Sequence, residues 1–219
     1  HFTKKYSTLV EILKSGGFWP RYCHEIRTKN GKDFDFYVPI ACFCDIPLSQ
    51  IKEHTKKYGS YGLGMSKEWA FNNRRICPVF YTYDYSEELT KELFTDAILN
   101  RDFVMNGVSD YAKFQSLLKP YHDQKKLYYN EREWRYLPDI NLELSFTTDG
   151  SNIDKMHEFT KDKKALFEST DIKYIILKNE KEREKMISQI GKIFKSIGQA
   201  EKSLLYSRIV TLEQIDEDY

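Results

Sequence analysis

Residues 128–137 read Tyr-Tyr-Asn-Glu-Arg-Glu-Trp-Arg-Tyr-Leu, or YYNEREWRYL. Two carboxylates and two guanidiniums stand inside a run of aromatics otherwise suited to burial. Period-two alternation predicts a strand over Leu127–Leu137, with Glu131, Glu133 and Arg135 on one face and Arg132, Trp134 and Tyr136 on the other. Two readings of the charged face compete. It can be a cross-strand ladder of ion pairs, with Arg135 and a lysine opposite. Alternatively, paired carboxylates split their pKa values, so that one orients a group on which the other acts.

Working outward, strands and helices alternate without a regular βαβ rhythm. A short strand over 1–3 precedes a helix capped by Ser7, with Leu9, Val10, Ile12 and Leu13 on its apolar face and Gly16-Gly17 as its stop. KNGKD within Thr28–Asp33 reads as a hairpin turn, and YVPIACFC (Tyr37–Cys44) as a buried strand. A helix is expected from about Leu48 to Lys57, then a short glycine-flanked strand, then a helix capped by Ser66 that carries Trp69, Ala70 and Phe71. PVFYTY (Pro78–Tyr83) reads as a strand, and a helical stretch is expected from 86 to 119. Downstream, 147–164 is loop-like, DIKYIIL (Asp171–Leu177) a strand, Lys178–Ile197 an amphipathic helix, Leu204–Ile209 a last strand, and Glu213–Tyr219 an acidic tail. The expected fold class is α+β, with mixed, largely antiparallel sheets and flanking helices. Residues 1–219 are expected to form a single domain with a helical insertion at about 86–126.

The bulk chemistry narrows the function. In 219 residues, 34 basic side chains nearly cancel 33 acidic ones, for a net charge of +1. No global field therefore steers the chain to nucleic acid. The pairs Lys4-Lys5, Lys56-Lys57, Arg74-Arg75 and Lys125-Lys126 are dispersed and read as solvated faces. No run of about 18 apolar residues exists, so no transmembrane helix is expected. The first residues, HFTKK, lack an apolar signal region. Of the four cysteines, Cys23, Cys42, Cys44 and Cys77, only Cys42 and Cys44 are close, and no second pair completes a zinc site. Reduced thiols in a cytoplasmic protein without a metal are expected.

Gly59, Gly62 and Gly64 imitate a phosphate cradle, but no lysine-serine ending follows and no dinucleotide-binding βαβ unit is present. Their remaining meaning is a backbone that approaches another strand or a flat ligand closely. The histidines are scattered, and no Ser-His-Asp, Cys-His or H-E-x-x-H arrangement is visible.

The order of these pieces carries a resemblance. HFT, then LVEILKSGGF, then YGSYGLGMSKEWA leading into PVFYTY, then Glu-x-Glu, looks like the layout of ADP-ribosyltransferase-type folds. The series FCDIPLSQIKEHTKKYGSYGLGMSKEWA, PVFY and EREWR more closely resembles the AbiGi-type family of bacterial abortive-infection proteins, over roughly residues 1–137. The transferase resemblance implies NAD as substrate. It places His1 at a ribose, with Thr3 on the same strand face, and Tyr58 or Tyr61 stacked on nicotinamide. Glu133, with Glu131 alongside, would bind the ribose 2′-hydroxyl and stabilise an oxocarbenium-like charge. The function implied is an anti-phage protein that transfers ADP-ribose to a protein target or cleaves NAD. The AbiGi resemblance also implies the alternative, a catalytically idle antitoxin-like module that restrains a partner toxin. Neither reading calls for a membrane or for nucleic acid.

Overall fold

The computed structural model describes residues 1–29, 32–73, 75–82, 116–122, 126–140, 147 and 149–218. Most of the helical insertion expected at 86–126 lies outside the described residues. The chain opens with β1 (Phe2–Thr3) and α1 (Tyr6–Ser15). Leu9, Val10 and Leu13 form the buried face of α1, and Gly16 ends it in the left-handed region at φ 59°, its N–H reaching Leu13 O. Ser7 does not cap this helix. Lys5 holds the cap position without a side-chain bond, and Ser7 lies within the first turn.

After β2 (Gly17–Phe18), β3 (Arg21–Lys29) and β4 (Lys32–Cys44) pair antiparallel from Arg21 opposite Ile40 to Lys29 opposite Lys32. The turn expected within KNGKD falls on residues 30 and 31, outside the described residues, and β4 begins earlier than Tyr37 because β3 offers cross-strand partners back to Lys32. A 3-10 turn at Leu48–Gln50 leads into α2 (Lys52–Tyr58), β5 (Tyr61–Met65) and α3 (Lys67–Asn72). As expected, Ser66 caps α3, its Oγ accepting the Trp69 N–H at 3.0 Å.

The strand expected over Pro78–Tyr83 is split into β6 (Ile76–Pro78) and β7 (Phe80–Thr82). Val79 donates its N–H to Glu133 O, and Phe80 donates to Leu117 O, so the chain changes partners between them. Then come β8 (Leu118–Pro120), a 3-10 turn at Tyr128–Glu131, β9 (Glu133–Tyr136), α4 (Ile153–Phe159), β10 (Ala165–Leu166) and β11 (Ile172–Leu177). The chain closes with α5 (Arg183–Ile193), α6 (Gln199–Ser207), β12 (Ile209–Thr211) and α7 (Leu212–Asp218). Leu204–Ile209 was expected as a strand. Its first four residues instead complete α6, burying Leu205 while Leu204 faces out, and the strand starts at Ile209. The acidic tail is helical up to Asp218.

Contacts divide the chain into two compact units. The first comprises His1–Phe18, Phe43–Arg74 and Ala165–Tyr219. Its sheet runs β1-β5-β11-β12, antiparallel except for the β11–β12 pair. Leu9, Leu13, Leu63, Ile172, Ile175, Leu177, Met186, Ile190 and Leu205 form its apolar centre. The glycine segment serves this packing. A Cβ on Gly59, at φ 117°, would lie 2.3 Å from Thr3 O, and one on Gly64 would lie 2.9 Å from the Tyr174 ring.

The second unit comprises Trp19–Cys42 and Arg75–Lys164, with a sheet ordered β3-β4-β9-β6 and a parallel pair β7–β8. Its α4 is tied to β3 by polar contacts. Trp19 Nε1 donates to Thr160 Oγ1 at 3.1 Å, the Thr160 hydroxyl donates to Pro20 O at 2.7 Å, and the Tyr22 N–H donates to His157 Nδ1 at 3.2 Å. The architecture is α+β with largely antiparallel sheets and flanking helices.

Candidate functional site

YYNEREWRYL forms the centre of the second unit, by a route different from the expected continuous strand. Tyr128–Glu131 is a 3-10 turn, and Arg132 is left-handed at φ 42°, the single positive-φ residue other than glycine among the described residues. Only Glu133–Tyr136 is strand, paired antiparallel with β6 so that Cys77 faces Arg135. Arg132 reverses the chain between the two glutamates, and both carboxylates converge on Lys119 from β8. Glu131, Glu133 and Arg135 are therefore grouped as alternation implied, but Glu131 reaches the group through the turn.

The group is buried: Glu131 is 5% exposed, Glu133 7% and Arg135 1%. Lys119 Nζ donates to Glu131 Oε2 at 2.5 Å and to Glu133 Oε2, and Lys126 Nζ donates to Glu131 Oε1. Arg135 donates through Nε to Glu133 Oε1 at 2.8 Å, through Nη2 to Glu25 Oε1 at 3.0 Å and through Nη1 to Ser116 O at 2.6 Å. Three carboxylates thus meet three cations. The Glu133 N–H donates to the Tyr81 hydroxyl at 2.8 Å, and Tyr128 lies under both ammoniums, 5.5 Å from Lys119 Nζ and 4.9 Å from Lys126 Nζ.

The electrostatics follow from this geometry. Burial pushes the Glu133 carboxyl up, but Arg135 and Lys119 outweigh it and hold the carboxyl below its ordinary range. Burial pushes the Lys119 ammonium down, and Glu133 and Glu131 overcome this to raise it. Arg135 is raised against burial in the same way, by Glu133 and then Glu25. All three are locked in their charged forms. An isolated buried ion costs several kcal/mol, so the cluster persists only because each charge has partners.

The other expected site residues lie in the first unit. Thr3 is opposite Tyr61 in the β1–β5 register. The His1 ring packs 5.1 Å from Phe18 and 5.8 Å from Phe43. The Tyr58 ring lies 4.4 Å from the His54 ring at a tilt of 38°, with Lys57 Nζ 4.7 Å from its centroid. The Tyr61 hydroxyl donates to Glu182 Oε1 at 2.8 Å, and burial, then that bond, pushes its pKa up to about 12. The structure thus brings together Thr3 with Tyr61, and Glu131 with Glu133.

Sequence reasoning missed Lys119, Lys126, Glu25 and Tyr81. The one usable signal was Lys119 itself, a lysine directly after the apolar pair Leu117-Leu118 and before Pro120. The four cysteines, Cys23, Cys42, Cys44 and Cys77, are thiols and form no disulfide.

Fold and site together define an α+β protein whose central glutamates are held as the anionic half of a buried ion cluster. The chain belongs to the AbiGi family of abortive phage resistance proteins. The sequence model of that family, described as "Putative abortive phage resistance protein AbiGi, antitoxin", matches residues 17–187, a span that includes the whole cluster. The chain is also similar to the abortive phage resistance protein AbiGi of Lactococcus lactis subsp. cremoris, at 30% identity over 250 residues, covering 92% of this chain and 99% of that one. No solved structure matches it. Among the described residues, no helix is long and apolar enough to cross a membrane.

Proposed function

We propose that this chain acts in abortive infection as a binding module that restrains a partner toxin, and that it does not consume NAD. One observation carries the reading. All four carboxylate oxygens of Glu131 and Glu133 already accept a hydrogen bond from a cation. A glutamate that steadies a developing oxocarbenium charge must offer its own negative charge to the substrate. Here that charge is neutralised by Lys119, Lys126 and Arg135, and giving it to a ligand would strand a buried cation. The word antitoxin in the family description supports the same reading.

The rival reading places NAD against His1, Thr3, Tyr58 and Tyr61, with Glu133 and Glu131 as catalytic groups. Incubation with labelled NAD, alone and with cell lysate, decides between them when nicotinamide release is followed by mass spectrometry. The binding role expects no release above buffer. It also expects Glu133→Gln, in preparations shown by circular dichroism to be folded, to restrain the toxin still. Nicotinamide release by the native chain that Glu133→Gln abolishes with the fold intact would overturn the binding role.

A further inference from the structure

The buried cluster leaves one cation over. Glu25, Glu131 and Glu133 meet Lys119, Lys126 and Arg135 inside the second unit, so that group is neutral by itself. Arg132 stands between the two glutamates in sequence, yet its side chain is exposed, and among the described residues no carboxylate pairs with it. Its backbone is left-handed at φ 42°, a conformation that glycine or asparagine adopts at less cost than arginine. The strain persists because Lys119 binds the glutamates on either side and fixes the chain between them. The sequence thus keeps a long charged side chain where the fold alone would favour none.

The same turn presents an aromatic ring. The Arg132 N–H donates to Tyr129 O at 3.1 Å, closing a turn whose ends lie within about 7 Å of each other. Tyr129 stacks on Tyr121 at 5.2 Å with the ring planes 25° apart, meets Tyr81 edge to face at 5.3 Å, and is still 45% exposed. These contacts hold the ring in place, so a partner that covers it loses little entropy in ordering it. Leu127 and Asn130 of the same turn are also exposed. Tyrosine and arginine are the residues on which protein interfaces concentrate their binding energy. A phosphate backbone fits less well, because it draws on several cations at once, and Lys119 and Lys126 are already committed to the glutamates.

We propose that Tyr129 and Arg132 form a docking surface for a carboxylate-bearing segment of the partner protein, an inference that rests on the binding role argued above. The carboxylate pairs with the Arg132 guanidinium, and an apolar side chain beside it covers the Tyr129 ring. Leu127 and Asn130 form the rim, and the ion cluster beneath holds the turn in the form that presents both anchors. The test is a titration of the full chain with the peptide acetyl-Glu-Leu-Glu-Leu-Glu-amide and with its uncharged counterpart, in which glutamine replaces each glutamate. The NMR signals of the Tyr129 ring and the Arg132 Nε–H report binding. The acidic peptide should shift both signals saturably, and the neutral one should bind about three- to tenfold more weakly, the range for an exposed charge-assisted contact. Arg132→Gly should abolish the difference between the peptides while leaving the thermal midpoint unchanged or raised, because it relieves the left-handed backbone. If that variant fails to fold, Arg132→Asn, which also tolerates the conformation, should abolish the difference instead.

Equal responses to the two peptides, or a preference for the acidic one that survives in a folded Arg132→Gly, would overturn the surface. Tighter binding of a ten-nucleotide oligothymidine than of the acidic peptide, lost in Arg132→Gly, would assign the turn to nucleic acid and overturn it equally. Restraint of the toxin undiminished in a folded Arg132→Gly sinks the surface but spares the binding role. NAD turnover in a chain that still prefers the acidic peptide sinks the binding role and spares the chemistry of the surface.

Discussion

The two units stabilise their centres in opposite ways. In the first, Leu63, Ile172, Ile175, Leu177 and Ile190 meet with at most 1% exposure, and among the described residues no charged side chain is buried with them. In the second, a charged residue, Arg135, is the largest fully buried side chain among the described residues, and Glu131 and Glu133 accompany it. An apolar centre gains roughly in proportion to the area removed from water and degrades gradually as side chains shrink. An ion cluster stabilises little in net terms when complete, yet fails steeply when one member is removed. The first arrangement tolerates variation, while the second fixes one arrangement of β8, β9 and the turn between the two glutamates.

The sharpest way to break this contrast is Arg135→Met. It fills much of the same volume but leaves Glu133 and Glu25 without their guanidinium. It should destabilise the second unit by about 3–5 kcal/mol, the cost of uncompensated buried charge. Urea denaturation gives the size, and hydrogen exchange should show the lost protection concentrated at β9 and β6. The apolar counterpart is Leu63→Ala in β5, expected to cost about 3 kcal/mol through lost burial and the cavity left behind. If Arg135→Met proved milder than Leu63→Ala, the ion cluster would not be the more brittle of the two centres.

Titration sharpens the comparison further, because the charged centre should sense both extremes of pH. Glu133 has a lowered folded pKa. Its stabilisation is present above the ordinary value of 4.5 and is lost as pH falls through the folded value. Lys119 has a raised folded pKa. Its stabilisation is present below 10.5 and is lost as pH rises through the folded value. Melting followed at β9 should therefore show both an acid and an alkaline limb. Glu133→Gln, in a folded preparation, should remove most of the acid limb at that position.

The legibility of these features in the sequence follows the range of the interactions behind them. Ser66 and its helix were readable because the capping bond spans three residues. The shared grouping of Glu133 and Arg135 was readable because strand alternation is local. Glu131 joined the same group for a reason that alternation could not supply, a left-handed Arg132 at a position where glycine would be the usual signal. The meeting of Lys119 with the two glutamates was out of reach because β8 pairs in parallel with β7, across a separation in sequence that no local pattern records. Leu204–Ile209 misled because adjacent leucines fit either period, and burial of Leu205 within the first unit selected the helix.

The smallest expected effect comes from His157, a polar contact at the edge of the second unit. Its Nδ1 accepts the Tyr22 N–H at 3.2 Å, so the ring must be neutral at that nitrogen. Burial, then the nearby Arg21 charge, lowers its pKa against the opposing pull of Asp154 and Glu158. A lowered folded pKa means the stabilisation is present above 6.5 and is lost as pH falls through the folded value. Acidification should therefore loosen α4 from β3 before Glu133 titrates, seen as faster exchange of the Tyr22 amide while β9 stays protected. His157→Gln can still accept the Tyr22 N–H through its amide oxygen but cannot take up a proton in this range. It should keep the protection and abolish its dependence on pH between about 5 and 7. If the dependence survived in His157→Gln, the acid sensitivity of this edge would not come from His157, and the ordering of the two acid transitions within the second unit would fail with it.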